Sequence, residues 1–256
     1  MRLFEFHDQD WFPGHLRDHV TEALQFVLNL GGIYSRSSVR LKRAFQASRA
    51  PRVVDLCSGS GGPWLGLHQG RFADVCLTDR YPNTPAFERI RLESRGAITY
   101  RTESVDATKV PAELVGFRTL FNSFHHFQRT EAIGILQNAV DHRQGIGVFE
   151  AVRPHPMTMA LTPFMLLGGL AAAPFIRPFR VSRLFWTYVL PVIPLVLFWD
   201  GLISCLRAYS LKELSQMIAS VDADGYLWEV GEESGGFATV TYLIGYPDAN
   251  PRRSSE

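Results

Sequence analysis

Two stretches of the 256-residue chain carry residue types and spacings that could do chemistry. The first is Val53-Val54-Asp55-Leu56-Cys57-Ser58-Gly59-Ser60-Gly61-Gly62-Pro63, an apolar run with an acid near its end, then a glycine turn, then a helix opening near Pro63 and Trp64. Gly59 and Gly61 can take backbone angles closed to residues with a Cβ, and they let a small molecule lie against bare peptide at a helix start. A dinucleotide would want Gly-x-Gly-x-x-Gly, but Trp64 stands where the third glycine belongs. The carboxylate of Asp55 also suits a cationic ligand better than a pyrophosphate. The second stretch is Asn122-Ser123-Phe124-His125-His126-Phe127. Imidazoles titrate near neutral pH, so His125 and His126 are candidates to take a proton. Neighbouring side chains on an extended chain point apart, and no third ligand is indicated, so no metal is expected. The plain alternatives are a glycine turn that only joins strand to helix, and histidines hydrogen-bonded into a helix start.

These residues sit in a regular alternation of strand and helix, the pattern of a parallel sheet covered on both sides. A helix over 18–30, stopping at Gly31-Gly32, precedes the first strand. Strands are expected at 73–78, 97–102, 117–123 and 145–150, with helices at 84–94 and 129–141 between them. Asp79 ends the second strand about twenty residues beyond the first glycine, where a carboxylate can accept both hydroxyl hydrogens of a ribose; it could also open the turn at Tyr81-Pro82-Asn83. Ser210-Leu211-Lys212-Glu213 reads as a capping box for a later helix. Strands over 226–232 and 237–246 close the chain, joined at Ser234-Gly235-Gly236, and the tail after Pro247 is expected to be disordered.

Asp-Leu-x-x-Gly-x-Gly at 55–61 resembles the first motif of the class I S-adenosylmethionine-dependent methyltransferases. The acid at Asp79, the polar end of the fourth strand with His125 and His126, and the terminal hairpin come in that family's order. The resemblance implies an α/β fold: a Rossmann-like, mostly parallel seven-stranded sheet with an antiparallel C-terminal hairpin, here with an apolar helical insert after strand five. It implies that S-adenosyl-L-methionine is held at Asp55, Gly59 and Gly61, with Cys57 where the family usually has glycine. Asp79 would hold the ribose, Asp106 and Ala107 the adenine, and Asn122 would face the reaction centre. Asp106 could equally be a helix cap. The segment before the first strand often closes over the cofactor in this family, which makes Trp11, Phe12 and Arg17 candidates for a lid; the other reading is that Trp11 and Phe12 anchor the first helix. The implied activity is methyl transfer to a small hydrophobic or lipid-like acceptor. The alternative is a non-enzymatic membrane-surface module that keeps the cofactor fold.

A formal charge of +1 with 46% hydrophobic residues suits one sizeable core and argues against a nucleic-acid partner. Cys57, Cys76 and Cys205 are odd in number and widely spaced, which points to a reducing compartment and no structural metal. The amino terminus lacks a signal peptide's apolar run, so the expected location is cytoplasmic, at the inner face of a membrane if the insert meets lipid. The basic run at 36–52 reads as a solvated helix face, with attraction to an anionic surface as the other reading. The expected division is a helical lid over 1–50, a cofactor-binding domain over 51–152 and 208–247, and a hydrophobic insert over 153–207.

No acid occurs between Glu150 and Asp200. Pro163, Pro174, Pro191, Pro194 and the Gly168-Gly169 pair are expected to break the insert into short helices. Three structures fit: a buried cap over the substrate pocket, a hairpin dipping into one leaflet with Arg177, Arg180 and Arg183 at the headgroups, or a pair of spans. Peripheral or monotopic membrane contact would run through 157–206. Asp200 is costly if buried unpaired; it is read as a partner of Arg207, as a cap, or as a substrate-facing acid or base.

Overall fold

A computed structural model describes residues 3–30, 32–68, 72, 74–235 and 238–248. The expected features at Gly31, Ala73, Gly236 and Phe237, and the tail from 249 onward, lie outside the described residues.

Strands β1 (Val53–Leu56), β4 (Phe117–Phe121) and β5 (Ile146–Glu150) are buried along their whole length, as strands covered on both faces must be. They pair in parallel with β2 (Val75–Leu77) and β3 (Ile98–Tyr100), and β7 (Ala238–Pro247) then runs antiparallel between β5 and β6 (Tyr226–Gly235). The order β3-β2-β1-β4-β5-β7-β6 is the expected seven-stranded, mostly parallel sheet with an antiparallel hairpin. The chain winds outward from β1 in both directions, and a crevice opens beyond the strand tips where the winding reverses.

Alternate residues feed two cores. Val53, Phe117 and Phe149 pack with α2 (Ser37–Ser48), α3 (Trp64–Leu67) and α4 (Thr84–Glu93) through Leu41, Trp64 and Ile90. Val54, Leu120 and Val148 pack with α5 (Arg129–Asp141) and α9 (Leu211–Ile218) through Ile135 and Met217. The capping box that opens α9 is present: Ser210 N–H donates to Glu213 Oε2 at 2.9 Å and Glu213 N–H to Ser210 Oγ at 3.4 Å.

A third core joins α1 (Gly14–Leu30) to the insert, where Phe12, Leu16 and Val20 meet Ala172, Ile176, Ile193 and Leu197. Helix α1 begins at Gly14, earlier than expected, so Arg17 and Asp18 lie in its first turns. The insert holds α6 (Pro156–Ala172), α7 (Val181–Leu184), a π-helical turn (Phe185–Val189) and α8 (Val192–Arg207). Contrary to expectation, Pro163 does not break α6. A proline supplies no N–H to the carbonyl four residues back, and here the Thr162 hydroxyl donates to that Met159 carbonyl at 2.7 Å. Gly169 does not break it either: a Cβ there would stand 3.0 Å from Leu197 Cδ1, so this glycine lets α8 approach.

No single described helix is long and apolar enough to cross a membrane, and the pair Val181–Val189 and Val192–Arg207 is bent by 74°. Two of the three arginines expected at headgroups turn inward. Arg183 is buried with Nη1 3.0 Å from Glu22 Oε2, and Arg180 Nη2 lies 3.1 Å from Glu22 Oε1, which ties the insert to α1.

Candidate active site at the strand tips

The turn after β1 is built from left-handed backbone: φ is +57° at Cys57, +56° at Gly59, +106° at Gly61 and +51° at Gly62. A side chain in that region costs about 1–2 kcal/mol, which is the physical reason a glycine suits the place that Cys57 occupies. Beneath the turn Asp55 is buried, accepting from Ser58 Oγ at 2.7 Å and from Thr119 Oγ1 at 2.7 Å. Burial pushes its pKa up to about 6 against the pull of those hydrogen bonds. Above it, Gly59 N–H donates to Asp79 Oδ2 at 2.7 Å and Tyr81 N–H to Asp79 Oδ1 at 2.8 Å. Burial also raises the Asp79 carboxyl. An ionised carboxylate has about four acceptor positions, so Asp79 keeps acceptor capacity for a ligand after tying the turn to β2.

These groups floor a cleft of about 350 Å³. Of the residues singled out in the sequence, Cys57, Gly59, Asp79, Asp106, Ala107, Asn122, Arg17 and His126 line it together. Asp106 Oδ1 accepts from Thr108 N–H at 2.8 Å and from its hydroxyl at 2.6 Å, so it shapes a turn as well as facing the cleft. Asn122, at φ +51°, accepts from Ala151 N–H at 3.1 Å. Arg17 donates to the carbonyls of His7 at 2.9 Å and Gln9 at 2.6 Å and lies over the Tyr81 ring at 4.1 Å, roofing the cleft from α1. Thr21 and Gln25, one and two turns further along α1, continue the roof.

Six expected site residues do not reach the cleft. Asp55 lies under the turn, and Gly61 packs against α4, where a Cβ would fall 1.9 Å from Ile90 Cδ1. Trp11 is 64% exposed, while Phe12 belongs to the core between α1 and the insert, so the anchoring role fits Phe12 and the lid role fits neither. His125 is buried, with Nδ1 bonded to Glu150. Asp200 is buried as well, and it pairs neither with substrate space nor with Arg207. It accepts Phe6 N–H at 2.7 Å and bonds His7 Nδ1 at 2.7 Å. The insert does not cap the cleft: among the described residues none from 153–207 lines it, and the insert backs α1 from outside.

A cluster of charges closes one end. The chain makes one 3-10 turn at Phe6–Asp8, which brings Glu5, His7 and Asp8 over the end of β4. His126 Nδ1 lies 3.1 Å from Asp8 Oδ2 and 3.4 Å from Glu5 Oε2. Arg207 Nη1 lies 2.9 Å from Glu5 Oε1 and 3.1 Å from Asp8 Oδ2. Burial opposes charge on His7, but the Asp200 hydrogen bond and the charges of Asp8, Asp200 and Glu5 outweigh it and lift its pKa to about 9. Burial likewise acts to raise the Asp8 carboxyl, and His126, His7 and Arg207 hold it well below the usual range. His125, turned to Glu150, takes no part in a second grouping that the sequence did not suggest: Glu5, His7 and His126 each offer one possible ligand atom, all within 4.8 Å of one another. Sequence reading missed Glu5, His7, Asp8 and Glu150. Only Glu150, an acid at the tip of an apolar strand, carried a local signal.

No family model matches the sequence, and no curated protein matches it. Solved structures do share its architecture. Human N-acetylserotonin methyltransferase in complex with S-adenosylmethionine is 14% identical over 89% of this chain and 56% of its own, with a TM-score of 0.51. The mitomycin 7-O-methyltransferase is 13% identical over 85% and 55%, with a TM-score of 0.50. An O-methyltransferase from neocarzinostatin biosynthesis, in complex with S-adenosyl-L-homocysteine and 1,4-dihydroxy-2-naphthoic acid, is 15% identical over 86% and 55%, also at 0.50. The chain spans about half the length of these proteins. At such identities the likeness is one of fold, and the fold is that of the class I S-adenosylmethionine-dependent methyltransferases.

Proposed function

We propose that this protein is an S-adenosylmethionine-dependent methyltransferase with a small hydrophobic acceptor. The observation that carries the reading is the floor of the cleft, where the bare Gly59 backbone and a carboxylate with spare acceptor positions, Asp79, face one space beside Asp106 and Ala107. That donor and acceptor set fits a cationic nucleoside. A dinucleotide is disfavoured because Trp64 is fully buried in the core where a third glycine would have to admit close packing.

When bound, the cofactor supplies a methyl on a sulfonium open to in-line attack. The chain's own residues do the rest. Asp79 and the turn at Cys57–Gly59 fix one end of the cleft, and Arg17, Thr21 and Gln25 of α1 line its roof. The carboxylates of Glu5, Asp8, Glu150 and Asp200, set among Arg207 and the imidazoles of His7, His125 and His126, form the charged cluster at the other end. An acceptor hydroxyl or amine meets imidazole and carboxylate groups at His126, His7 and Asp8, the members of that cluster that line the cleft. Leu24, Leu28, Phe121 and Phe127 give the walls their apolar character, which supports a hydrophobic acceptor.

A second element of the proposal is where that acceptor is met. The outer face of the insert exposes Met157, Leu161 and Phe164 on one stripe of α6, and Phe175, Phe185 and Val189 beyond it. An exposed apolar face of this kind, in a segment without acids, supports peripheral contact with a lipid surface. The buried side of α8, which carries Asp200 into the cluster, speaks against a span.

Calorimetry with S-adenosylmethionine, S-adenosylhomocysteine and NAD tests the cofactor: saturable binding of the first two and none of the third is expected, and the reverse would sink the reading. Transfer of labelled methyl into a hydrophobic extract then tests turnover. Its absence, with cofactor binding intact, would favour the non-enzymatic alternative. Co-sedimentation with vesicles tests the insert.

A further inference from the structure

We propose that Glu5, His7 and His126 form a binding site for one divalent cation of the zinc, manganese or iron(II) type at the acceptor end of the cleft. The ligand atoms already stand close to the required geometry. Atoms about 2.1 Å from a shared tetrahedral or octahedral ion lie roughly 3.0–3.4 Å from one another. Glu5 Oε2 is 3.4 Å from His126 Nδ1 and 3.9 Å from His7 Nε2, and the three ligand atoms all fall within 4.8 Å. His126 Nδ1 bonds Asp8 Oδ2 at 3.1 Å and Glu5 Oε2 accepts from Ser204 Oγ at 3.2 Å, so an ion would take the place of those contacts.

The surroundings are those a metal site needs. His7 is oriented by a carboxylate: Asp200 Oδ2 holds Nδ1 at 2.7 Å, and Asp200 is itself fixed by Phe6 N–H at 2.7 Å and His7 N–H at 3.3 Å. That contact leaves Nε2 to the ion, the arrangement by which outer carboxylates orient ligating imidazoles. Arg207 occupies the other oxygen of Glu5, Oε1, and so turns Oε2 toward the histidines. Four carboxylates, Glu5, Asp8, Glu150 and Asp200, converge here on the Arg207 guanidinium and the imidazoles of His7, His125 and His126. Two imidazoles and one carboxylate suit borderline transition cations better than magnesium or calcium. Because His7 and His126 line the cleft while Glu5 is buried, the remaining coordination positions face the space where an acceptor would lie.

This names an acceptor class: a small apolar molecule whose hydroxyl or carboxylate oxygen completes the coordination. The naming of the class rests on the methyltransferase reading; the cation site itself does not. With the cation in place, His126 and His7 act as ligands, and their task is to place the acceptor oxygen.

The test uses the full chain stripped with a chelator and titrated with Zn²⁺ by calorimetry and with Co²⁺ by visible absorption. One equivalent is expected to bind, with cobalt bands shifted as imidazole ligands require. His7→Ala and His126→Ala should each weaken binding at least tenfold, and Asp200→Asn about 10–100-fold through the orientation of His7. His15→Ala, on an exposed imidazole outside the cleft, should change nothing. No saturable binding, or binding that survives the His7 and His126 double substitution, overturns the proposal. Should the alanine variants lose their fold by circular dichroism, the wild-type cobalt spectrum decides, and bands unchanged from the aqueous ion overturn it. S-adenosylmethionine affinity measured on the same metal-free protein separates the two readings. Its loss with metal binding intact would remove the methyltransferase and leave the site standing; the converse would remove only the site.

Discussion

The two ends of the cleft are made in opposite ways. At the Gly59 end, the turn, Asp79 and Asp106 come from successive strand tips and are fixed by backbone N–H groups of near neighbours, such as Tyr81 on Asp79 and Thr108 on Asp106. At the His126 end, the partners are far apart in the chain: Asp8 and His126 are separated by 118 residues, His7 and Asp200 by 193, Glu5 and Arg207 by 202. The first end is preorganised by local geometry and would exist in almost any chain that folded into this sheet. The second exists only when the amino-terminal turn, β4, β5 and α8 are all in place, so its chemistry and the stability of the fold are the same interactions.

That contrast is open to direct attack. The largest effect is expected from Arg207→Ala, which strips the guanidinium from Glu5, a fully buried carboxylate, and from Asp8. Removing one partner of a buried ion pair costs about 3–5 kcal/mol. Urea denaturation should show that loss, and a change within experimental error would mean the cluster does not hold the fold. Next in size is a split between the ends. Asp79→Asn should weaken S-adenosylmethionine binding by about 10–100-fold through the lost charged hydrogen bonds. His126→Ala should leave that affinity nearly intact and lower turnover by about 10²–10⁴-fold. If both variants changed the same quantity, the two ends would not be separate devices.

A smaller effect concerns pH. In the unfolded chain Asp55 ionises near its ordinary 3.8, whereas in the fold it holds its proton to about 6. The protonated fold is therefore favoured below pH 4, and stability is lost as pH rises from about 4 to 6. Asp55→Asn should abolish that part of the slope, about 3 kcal/mol, read as the difference between wild-type and variant denaturation curves across that range. Identical curves would place the Asp55 carboxyl in a wetter setting. The smallest change is expected from Trp11→Ala, an exposed side chain away from the cleft: within about 0.5 kcal/mol in stability and in cofactor affinity.

The same contrast explains what could be read from the chain. The sheet and its glycine turn arise from alternating apolar runs and turn residues, which are short-range signals, so β1 to β5 and the terminal hairpin were legible, and so were Gly59, Asp79, Asp106 and Ala107 as neighbours. Asp55 and Gly61 belong to the same motif, yet the direction of a buried carboxylate and the packing of a glycine on Ile90 depend on what lies beneath the turn. Asp200 was recognisable as an acid that must have a partner. Helical spacing suggested Arg207, and the partner is His7, which no periodicity connects to it. In the insert, Pro163 looked like a break because proline leaves a carbonyl unpaired; the neighbouring Thr162 hydroxyl supplies the missing donor.

The antiparallel course of β7 sets the two ends of the described residues apart. Thr241 pairs with Glu150 at the strand tips and Gly245 with Ile146 at their opposite ends, so the strand carries residue 248 away from the cleft, while His7 and Asp8 line it. An affinity tag or fluorophore fused in front of residue 3 would crowd the wall that holds the acceptor. The same addition after residue 248 would sit across the sheet from it, and that is the side from which the protein is best handled for every measurement of activity.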